Sequence, residues 1–297
     1  MYSLDAMRGL EETFSSTVHV TNNFDYPLKK NRQRKYKIQS GERIRVNMTS
    51  DTFIEEADAY RDGMWKIIKE RSDVIFWLLT KRPERILECL PKDWGSGYDN
   101  VALNVTCENQ EMFDKRIPIF RDIPAKHKGL CLAPLLGPID ISKALPILGM
   151  DEIFCGGENY NHPRICNCDW VRSIYNACVA YGVNFCFYET GTRFVMDGTE
   201  HFIPKKADQS ALAYLLQLSC KFYDVKFDLR DPDTGRLLAD DELYQKRYNK
   251  YHCTFCANRM VCNGCSACGN CCGPVELVTL EELWACEDAL LSGQSLF

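Results

Sequence analysis

The chain has 297 residues, 45% hydrophobic content and a formal net charge of −5, enough to bury the core of one large domain or of one domain with an appendage. The acidic balance argues against a protein coated in nucleic acid, and uninterrupted apolar runs such as Val74–Leu79 are far too short to cross a bilayer. The start, MYSLDAMRG, lacks a basic stretch leading into an apolar one, so a reducing, cytoplasmic location is expected.

The first local feature is a basic run, Lys29, Lys30, Arg32, Arg34, Lys35 and Lys37. It reads as a solvated loop, with a phosphate-binding patch as the alternative. Six short segments rich in β-branched and apolar residues follow: Arg43–Met48, Val74–Thr80, Val101–Thr106, Lys128–Ala133, Asp151–Cys155 and Val183–Tyr188. Amphipathic stretches lie between them, with Tyr60, Met64, Ile67 and Arg71 on one face, then Met112, Phe113, Ile117 and Phe120, then Val171, Ile174, Cys178 and Tyr181. Alternation of strand and helix with a period near 30 residues predicts an α/β fold, a partial parallel βα barrel over residues 1–205. No residue-level repeat underlies the period.

Past residue 205 the alternation stops. Ala211–Leu218 reads as a closing helix, and Asp231-Pro232-Asp233-Thr234-Gly235 as a turn between two short strands rather than a calcium loop, whose ligand spacing it lacks. Thr279-x-x-Glu282 is a capping box opening a last helix, with Leu280, Leu283, Trp284, Leu290 and Leu291 as its apolar stripe. Residues 206–297 thus form a C-terminal extension, and its centre is a cysteine array. Seven of the seventeen cysteines fall in Cys253–Cys272: Cys253, Cys256, Cys262, Cys265, Cys268, Cys271 and Cys272. In a reducing compartment this density predicts a metal-binding module, the alternatives being disulfides or unliganded structural thiols.

In a parallel βα architecture the ligand site lies at the carboxyl ends of the strands. Those ends are Thr49-Ser50-Asp51, Thr80-Lys81-Arg82, Asn104-x-Thr106-x-Glu108, Pro134, Gly156-Gly157-Glu158 and Glu189-Thr190, a concentration of polar and charged groups. Taken singly, Lys81 and Arg82 before Pro83 also suit the exposed start of a helix, and Asp51 suits a helix cap. Gly156-Gly157 would let backbone amides approach a ligand closely. Cys166 and Cys168 follow that loop and are candidate functional thiols, whereas Cys131, Cys155 and Cys186 on strands read as small buried hydrophobes. A phosphate loop of the G-x-x-x-x-G-K-[ST] type, H-E-x-x-H and G-x-S-x-G are all missing from the sequence, against a nucleotide triphosphatase, a zinc protease of that type and an esterase.

The ordered series Leu78-Leu79-Thr80-Lys81-Arg82-Pro83-Glu84-Arg85, Asn104-Val105-Thr106-Cys107-Glu108-Asn109-Gln110 with Arg116, Ala133-Pro134-Leu135-Leu136-Gly137-Pro138-Ile139-Asp140, Gly156-Gly157-Glu158 and Asp169-Trp170-Val171 resembles the phage-type, radical-SAM-like family of unknown function. The resemblance covers roughly Tyr2 to Thr192. It implies a TIM-like, radical-SAM-type partial barrel that holds a [4Fe-4S] cluster by three cysteines near its amino terminus and cleaves S-adenosylmethionine reductively to start radical chemistry. By that resemblance Thr80, Lys81, Asn104, Thr106, Glu108, Gly156, Gly157 and Glu158 would bind the cofactor, with Asp51, Arg82 and Glu189 in the substrate pocket. An electron donor would then be a partner.

One departure matters. The family usually carries a cysteine-rich loop ending in Cys-Tyr just before the segment matching Tyr2-Ser3-Leu4-Asp5-Ala6-Met7-Arg8, and Met1 stands where that loop would end. The expectation is a chain begun at an internal methionine, inactive in S-adenosylmethionine cleavage until the loop is restored, the alternative being a variant without the cluster. Under the first reading the tail holds an auxiliary iron–sulfur cluster, since Cys253-x2-Cys256-x5-Cys262-x2-Cys265 is one residue short of an auxiliary-cluster core and Cys262-x2-Cys265-x2-Cys268-x3-Cys272 has ferredoxin-like spacing. Zinc, for example on Cys253, Cys256, Cys268 and Cys271, fits the same spacing. The rival reading is a catalytically inactive barrel with a zinc-knuckle tail that binds nucleic acid or protein. The substrate itself, whether nucleic acid, nucleoside or peptide, is not specified by any residue pattern.

Overall fold

The structure is a computed structural model that describes residues 22–47, 50–159, 162–262 and 276–292. In chain order its strands are β1 (Arg43–Arg45), β2 (Ile75–Thr80), β3 (Val101–Thr106), β4 (His127–Leu132), β5 (Glu152–Gly156), β6 (Cys166–Asn167), β7 (Asn184–Glu189), β8 (Arg193–Met196), β9 (Thr199–Phe202), β10 (Tyr248–Asn249) and β11 (Leu277–Val278). The main helices are α1 (Arg61–Glu70), α2 (Gln110–Arg121), α3 (Cys168–Tyr181), α4 (Lys206–Leu215) and α5 (Leu280–Leu291). The fold is mixed α/β, with a curled, parallel six-stranded half-barrel sheet in the order β1-β2-β3-β4-β5-β7. The chain divides into two compact units, one of residues 1–131, 147–151 and 224–244, the other of residues 132–146, 152–223 and 245–297.

In the first unit β1 pairs with β2, β2 with β3 and β3 with β4, all parallel. All six residues of β3 are buried, as expected of a parallel strand covered on both faces. Helix α2 starts where Asn109 accepts a hydrogen bond from the Met112 N–H at 2.9 Å, and it buries Phe113, Ile117 and Phe120. Each such side chain contributes about 1.5–3 kcal/mol through lost apolar exposure. Helix α1 departs from its sequence pattern: Tyr60 is exposed, and the inward residues are Arg61, Trp65, Ile67 and Ile68. A cation sits on the apolar face because the Arg61 guanidinium caps the Thr52 and Ile54 carbonyls at 2.7 and 3.2 Å and pairs with Asp58.

The basic run forms a small folded loop, with a bridge between Lys30 and Tyr36. Lys30 lies over the Tyr36 ring and Lys29 and Lys37 over that of Tyr26, so these cations are engaged with aromatic faces of their own loop. Arg71, wholly buried, anchors the loop: it pairs with Asp73, donates to the carbonyls of Pro27 and Ile38, and lies 3.9 Å from the Tyr36 ring. Segment 224–244 completes the unit. Arg230 N–H donates to Ser72, Tyr244 N–H to Ser40, and Phe227 packs 3.9 Å from the His127 ring. The Asp231–Gly235 turn is closed by an isolated antiparallel bridge between Arg230 and Leu237.

In the second unit β5 pairs with β7 in parallel, with a register irregularity at Cys155/Gly156, and β6, β8 and β9 form a separate three-stranded sheet. The Asn167 side chain caps α3, and Gly182 closes it at φ +66°, the left-handed position glycine fills without strain. The peptide between Ala133 and Pro134 is cis. The predicted capping box is present, Thr279 accepting from the Glu282 N–H and the Glu282 carboxylate from the Thr279 N–H.

The predicted apolar stripe of α5 is corrected. Trp284, Leu290 and Leu291 are exposed, whereas Leu283 and Glu287 are buried. The inward face is half ionic because Glu287 pairs with the buried Arg259, accepts from the Phe255 N–H at 2.8 Å and from the Tyr214 hydroxyl at 2.9 Å. Tyr248, Cys253, Val278 and Leu283 form the small apolar cluster beside it.

Candidate functional site

The predicted ligand-site residues fall into two groups, one in each unit. In the first unit β2 ends at Thr80 and β3 at Thr106, parallel neighbours whose register pairs Leu79 with Asn104. Asp51 joins the end of β2: its Oδ1 accepts from the Thr80 hydroxyl at 2.7 Å and the Phe53 N–H at 2.9 Å, and its Oδ2 from the Lys81 N–H at 2.7 Å. Arg82 stands 3.2 Å from the same Oδ2. Asp51 therefore acts as the local cap of its own loop and also ties that loop to the strand end. Pro83 opens a short 3₁₀ turn, Pro83–Arg85, so Lys81 and Arg82 do occupy a helical start as well as a strand end.

Glu108 lies two residues beyond β3 and is held between two cations, Lys81 and Arg116, the latter at 2.7 Å. Arg116 also donates to the Thr106 carbonyl at 2.7 Å. Lys81 is half exposed, its side chain at 51% against 11% for Glu108, so the ammonium is the more open member of the pair. Burial opposes charge on Glu108, but the Lys81 hydrogen bond and the Lys81 and Arg116 charges outweigh it and hold the carboxyl below its usual range. A lowered native pKa stabilises the fold above the unfolded value of about 4.3, and that contribution is lost as pH falls through the native value. Melting temperature should therefore drop more steeply in wild type than in Glu108→Gln below about pH 4.3. Parallel melting curves for the two proteins would remove this ion-pair account.

Asn104 and Thr106 are both buried. The Asn104 amide donates to the Leu78 and Ala102 carbonyls at 3.2 and 3.0 Å, which commits it to the sheet. Sequence reasoning placed Arg116 in the motif series without giving it a role at the site. Its position two helical turns past the Asn109 cap, on the side facing the end of β3, is the signal that marks it.

In the second unit the loop after β5 meets the end of β7. Gly157 N–H donates to the Glu189 carbonyl at 3.1 Å, and Thr192 N–H to the Glu158 carbonyl at 2.9 Å. A Cβ on Gly157 would overlap the Thr190 carbonyl oxygen, and one on Gly156 would stand 2.6 Å from the Tyr188 ring. The glycines are thus required by chain-to-chain approach, before any ligand is considered. Gly191, at φ +78°, completes the contact. The Glu158 carboxylate accepts from Arg164 through the backbone N–H and Nε, both at 2.8 Å, and the guanidinium NH2 at 2.5 Å. Buried Glu189 accepts from Asn159 at 3.1 Å and has Lys206 3.9 Å away. Arg164, Asn159 and Lys206 were not picked out from the sequence. Arg164 is six residues past Glu158 across a loop, a spacing that no helical or strand period flags.

Cys166 and Cys168 are buried, and desolvation pushes the Cys166 thiol up to about 12 and raises that of Cys168, the state of packed rather than nucleophilic cysteines. Cys131, Cys155 and Cys186 are buried as expected. No disulfide joins any of the described cysteines. In the tail, Asn249 N–H donates to the Cys253 sulfur at 3.3 Å, Cys256 precedes the 3₁₀ helix Ala257–Met260, and Cys262 lies in a bend just after it. Cys265, Cys268, Cys271 and Cys272 lie outside the described residues, as do Thr49 and Tyr2–Arg8. Among the described residues no three potential ligands converge as a metal site, and no helix is long and apolar enough to cross a membrane.

The parallel sheet defines a mixed α/β protein in which Lys81, Arg82 and Glu108 follow the carboxyl ends of β2 and β3, with Asp51 tied to the end of β2. The chain belongs to the family described as "Protein of unknown function (DUF5131)", whose model matches residues 3–241. No curated protein and no solved structure matches the chain.

Proposed function

We propose that this chain is a radical-SAM-like protein, related to enzymes that cleave S-adenosylmethionine, and that the strand ends of its first unit take that molecule or the substrate. The observation that carries this reading is the Lys81–Glu108–Arg116 arrangement beyond two adjacent parallel strands. An amino-acid group carries one ammonium and one carboxylate. Glu108 can accept from the first, and the half-exposed Lys81 can turn to the second, exchanging one ion pair for two. The residues present thus suit the charged end of S-adenosylmethionine. They do not suit the iron–sulfur cluster, because the described residues bring no three thiols together, and no step through a cluster is derived for them. The ordered motif series supports the same reading through the strand ends it occupies. The tail is proposed as a metal module for zinc or an auxiliary cluster on the spacing of Cys253 to Cys272 in the sequence alone, since its described cysteines, Cys253, Cys256 and Cys262, do not converge by themselves.

Calorimetric titration with S-adenosylmethionine tests the proposal. Wild type should bind, and Glu108→Gln should bind about tenfold more weakly, the equivalent of one net charge-assisted hydrogen bond at about 1.4 kcal/mol. Equal affinity in the two proteins, or none in wild type, would sink it. Salt-sensitive binding of RNA or DNA by a protein that ignores S-adenosylmethionine would establish the rival reading of an inactive barrel.

A further inference from the structure

The first unit contains a cavity of about 560 Å³, the size of a small-molecule site. Part of its wall is apolar: Ile44 and Phe76, paired across β1 and β2, and Met64 of α1. Another part is aromatic and acidic. Phe24, Tyr26 and Tyr60 line the cavity yet are 38, 40 and 47% exposed, and the exposed Glu56 joins them. The Phe24 and Tyr60 rings stand 6.3 Å apart at 61° to each other, forming a corner. A Cβ on Gly63 would come within 3.3 Å of the Phe24 ring, so that ring packs on α1 at the one turn where the helix carries no side chain beneath it. Glycine inside a helix costs roughly 0.5–1 kcal/mol against alanine, and at this position it seats Phe24 beside Tyr60.

The acidic residues before α1 divide by face. Glu55 and Asp58 pair with Arg82, Arg85 and Arg61. Glu56, with Ala57 and Tyr60, lines the cavity and has no hydrogen-bond or ion-pair partner among the described residues. The cations of the wall are committed elsewhere. Arg61 is held by Asp58 and the Thr52 and Ile54 carbonyls. Arg45 alternates with Ile44 along β1, which puts its side chain on the opposite face of the sheet, where the guanidinium lies over the Trp77 ring. Ring faces beside an unpaired carboxylate select a cation. The chain itself shows this preference, since Lys29 and Lys37 lie over the Tyr26 ring at 6.0 and 5.9 Å. We infer that this cavity binds a protonated organic amine with an apolar body, its ammonium at the Phe24–Tyr60 corner beside Glu56 and its body against Ile44, Met64 and Phe76. The inference is independent of S-adenosylmethionine binding at Lys81 and Glu108.

The test titrates the full chain with phenethylammonium and phenethyl alcohol, probes of similar shape that differ in charge, and follows methyl-labelled methionines by NMR at low ionic strength and neutral pH. The Met64 methyl resonance, assigned with Met64→Leu, should shift with the ammonium, which should bind about tenfold more tightly than the alcohol. Glu56→Gln and Tyr60→Leu change exposed side chains and leave the core intact. Each should weaken the ammonium about threefold, and Glu56→Gln should leave the alcohol unchanged. An ammonium bound no more tightly than the alcohol, an ammonium affinity unmoved by Glu56→Gln, or a Met64 methyl that shifts with neither probe would overturn the inference.

Discussion

Arg71→Met is expected to lower stability by about 3–5 kcal/mol, the range for removing one member of a buried ion pair. The side chain is 0% exposed. It satisfies Asp73 through Nε at 2.8 Å and NH2 at 3.0 Å, and the Ile38 carbonyl at 2.8 Å, besides Pro27. Methionine fills most of the volume but leaves the Asp73 carboxylate buried with only the Ser40 hydroxyl, 2.8 Å away, to support it. Urea denaturation of wild type and variant measures the loss. The double variant Arg71→Met/Asp73→Asn should recover part of it, since no charge is then stranded. A single variant within about 1 kcal/mol of wild type would show that the pair contributes no more than a surface bridge. Limited proteolysis adds a local readout: cleavage within Lys29–Lys37 should accelerate in Arg71→Met, because that guanidinium ties the loop to the unit.

The second large effect lies in the other unit. Glu287→Leu should cost about 3–5 kcal/mol, since it strands Arg259, which is 5% exposed, and frees the Phe255 N–H and Tyr214 hydroxyl at the same time. The Arg259 NH2 to Glu287 Oε2 bond is 3.0 Å, and the second fork of the pair makes the contact bidentate. Hydrogen exchange of the α5 amides should rise, and the double variant Arg259→Met/Glu287→Leu should be less damaged than the single. A double variant as unstable as the sum of its parts would show that the two residues act independently.

The strands were legible because β-branched and apolar residues cluster and then stop at polar ends. β3 lies over Val101–Thr106 as expected, and β2, β4, β5 and β7 within about a residue of expectation at each end. β1 is shorter, ending at Arg45 instead of Met48. The hairpin of β8 and β9 passed unseen because Thr199, Glu200 and Phe202 are exposed and carry no apolar alternation. Its signal was Asp197-Gly198, both at positive φ (50° and 75°), the pair that a tight hairpin turn selects. At the candidate site, the strand-end argument picked out the residues but not their commitments. Asn104 looks like a ligand group in the sequence and serves the sheet, and Gly157 looks like an anion cradle and serves the approach of Thr190. Buried Arg61 and Glu287 were hidden because a charged residue on an apolar face is invisible to periodicity until its partners, the Thr52 carbonyl and Arg259, are placed, whereas Arg71 is read on the inward face without its partner Asp73.

The division of the chain has a consequence for its synthesis. The first unit needs residues 224–244 for the Arg230–Ser72 and Tyr244–Ser40 bonds and for Phe227 against His127. A nascent chain emerging from the ribosome has made all of this unit's described strands by residue 132, yet must extrude about a hundred further residues before segment 224–244 arrives. During that interval Ser40, Ser72 and the His127 ring wait without those partners, so the amino-terminal unit closes late although it is translated early.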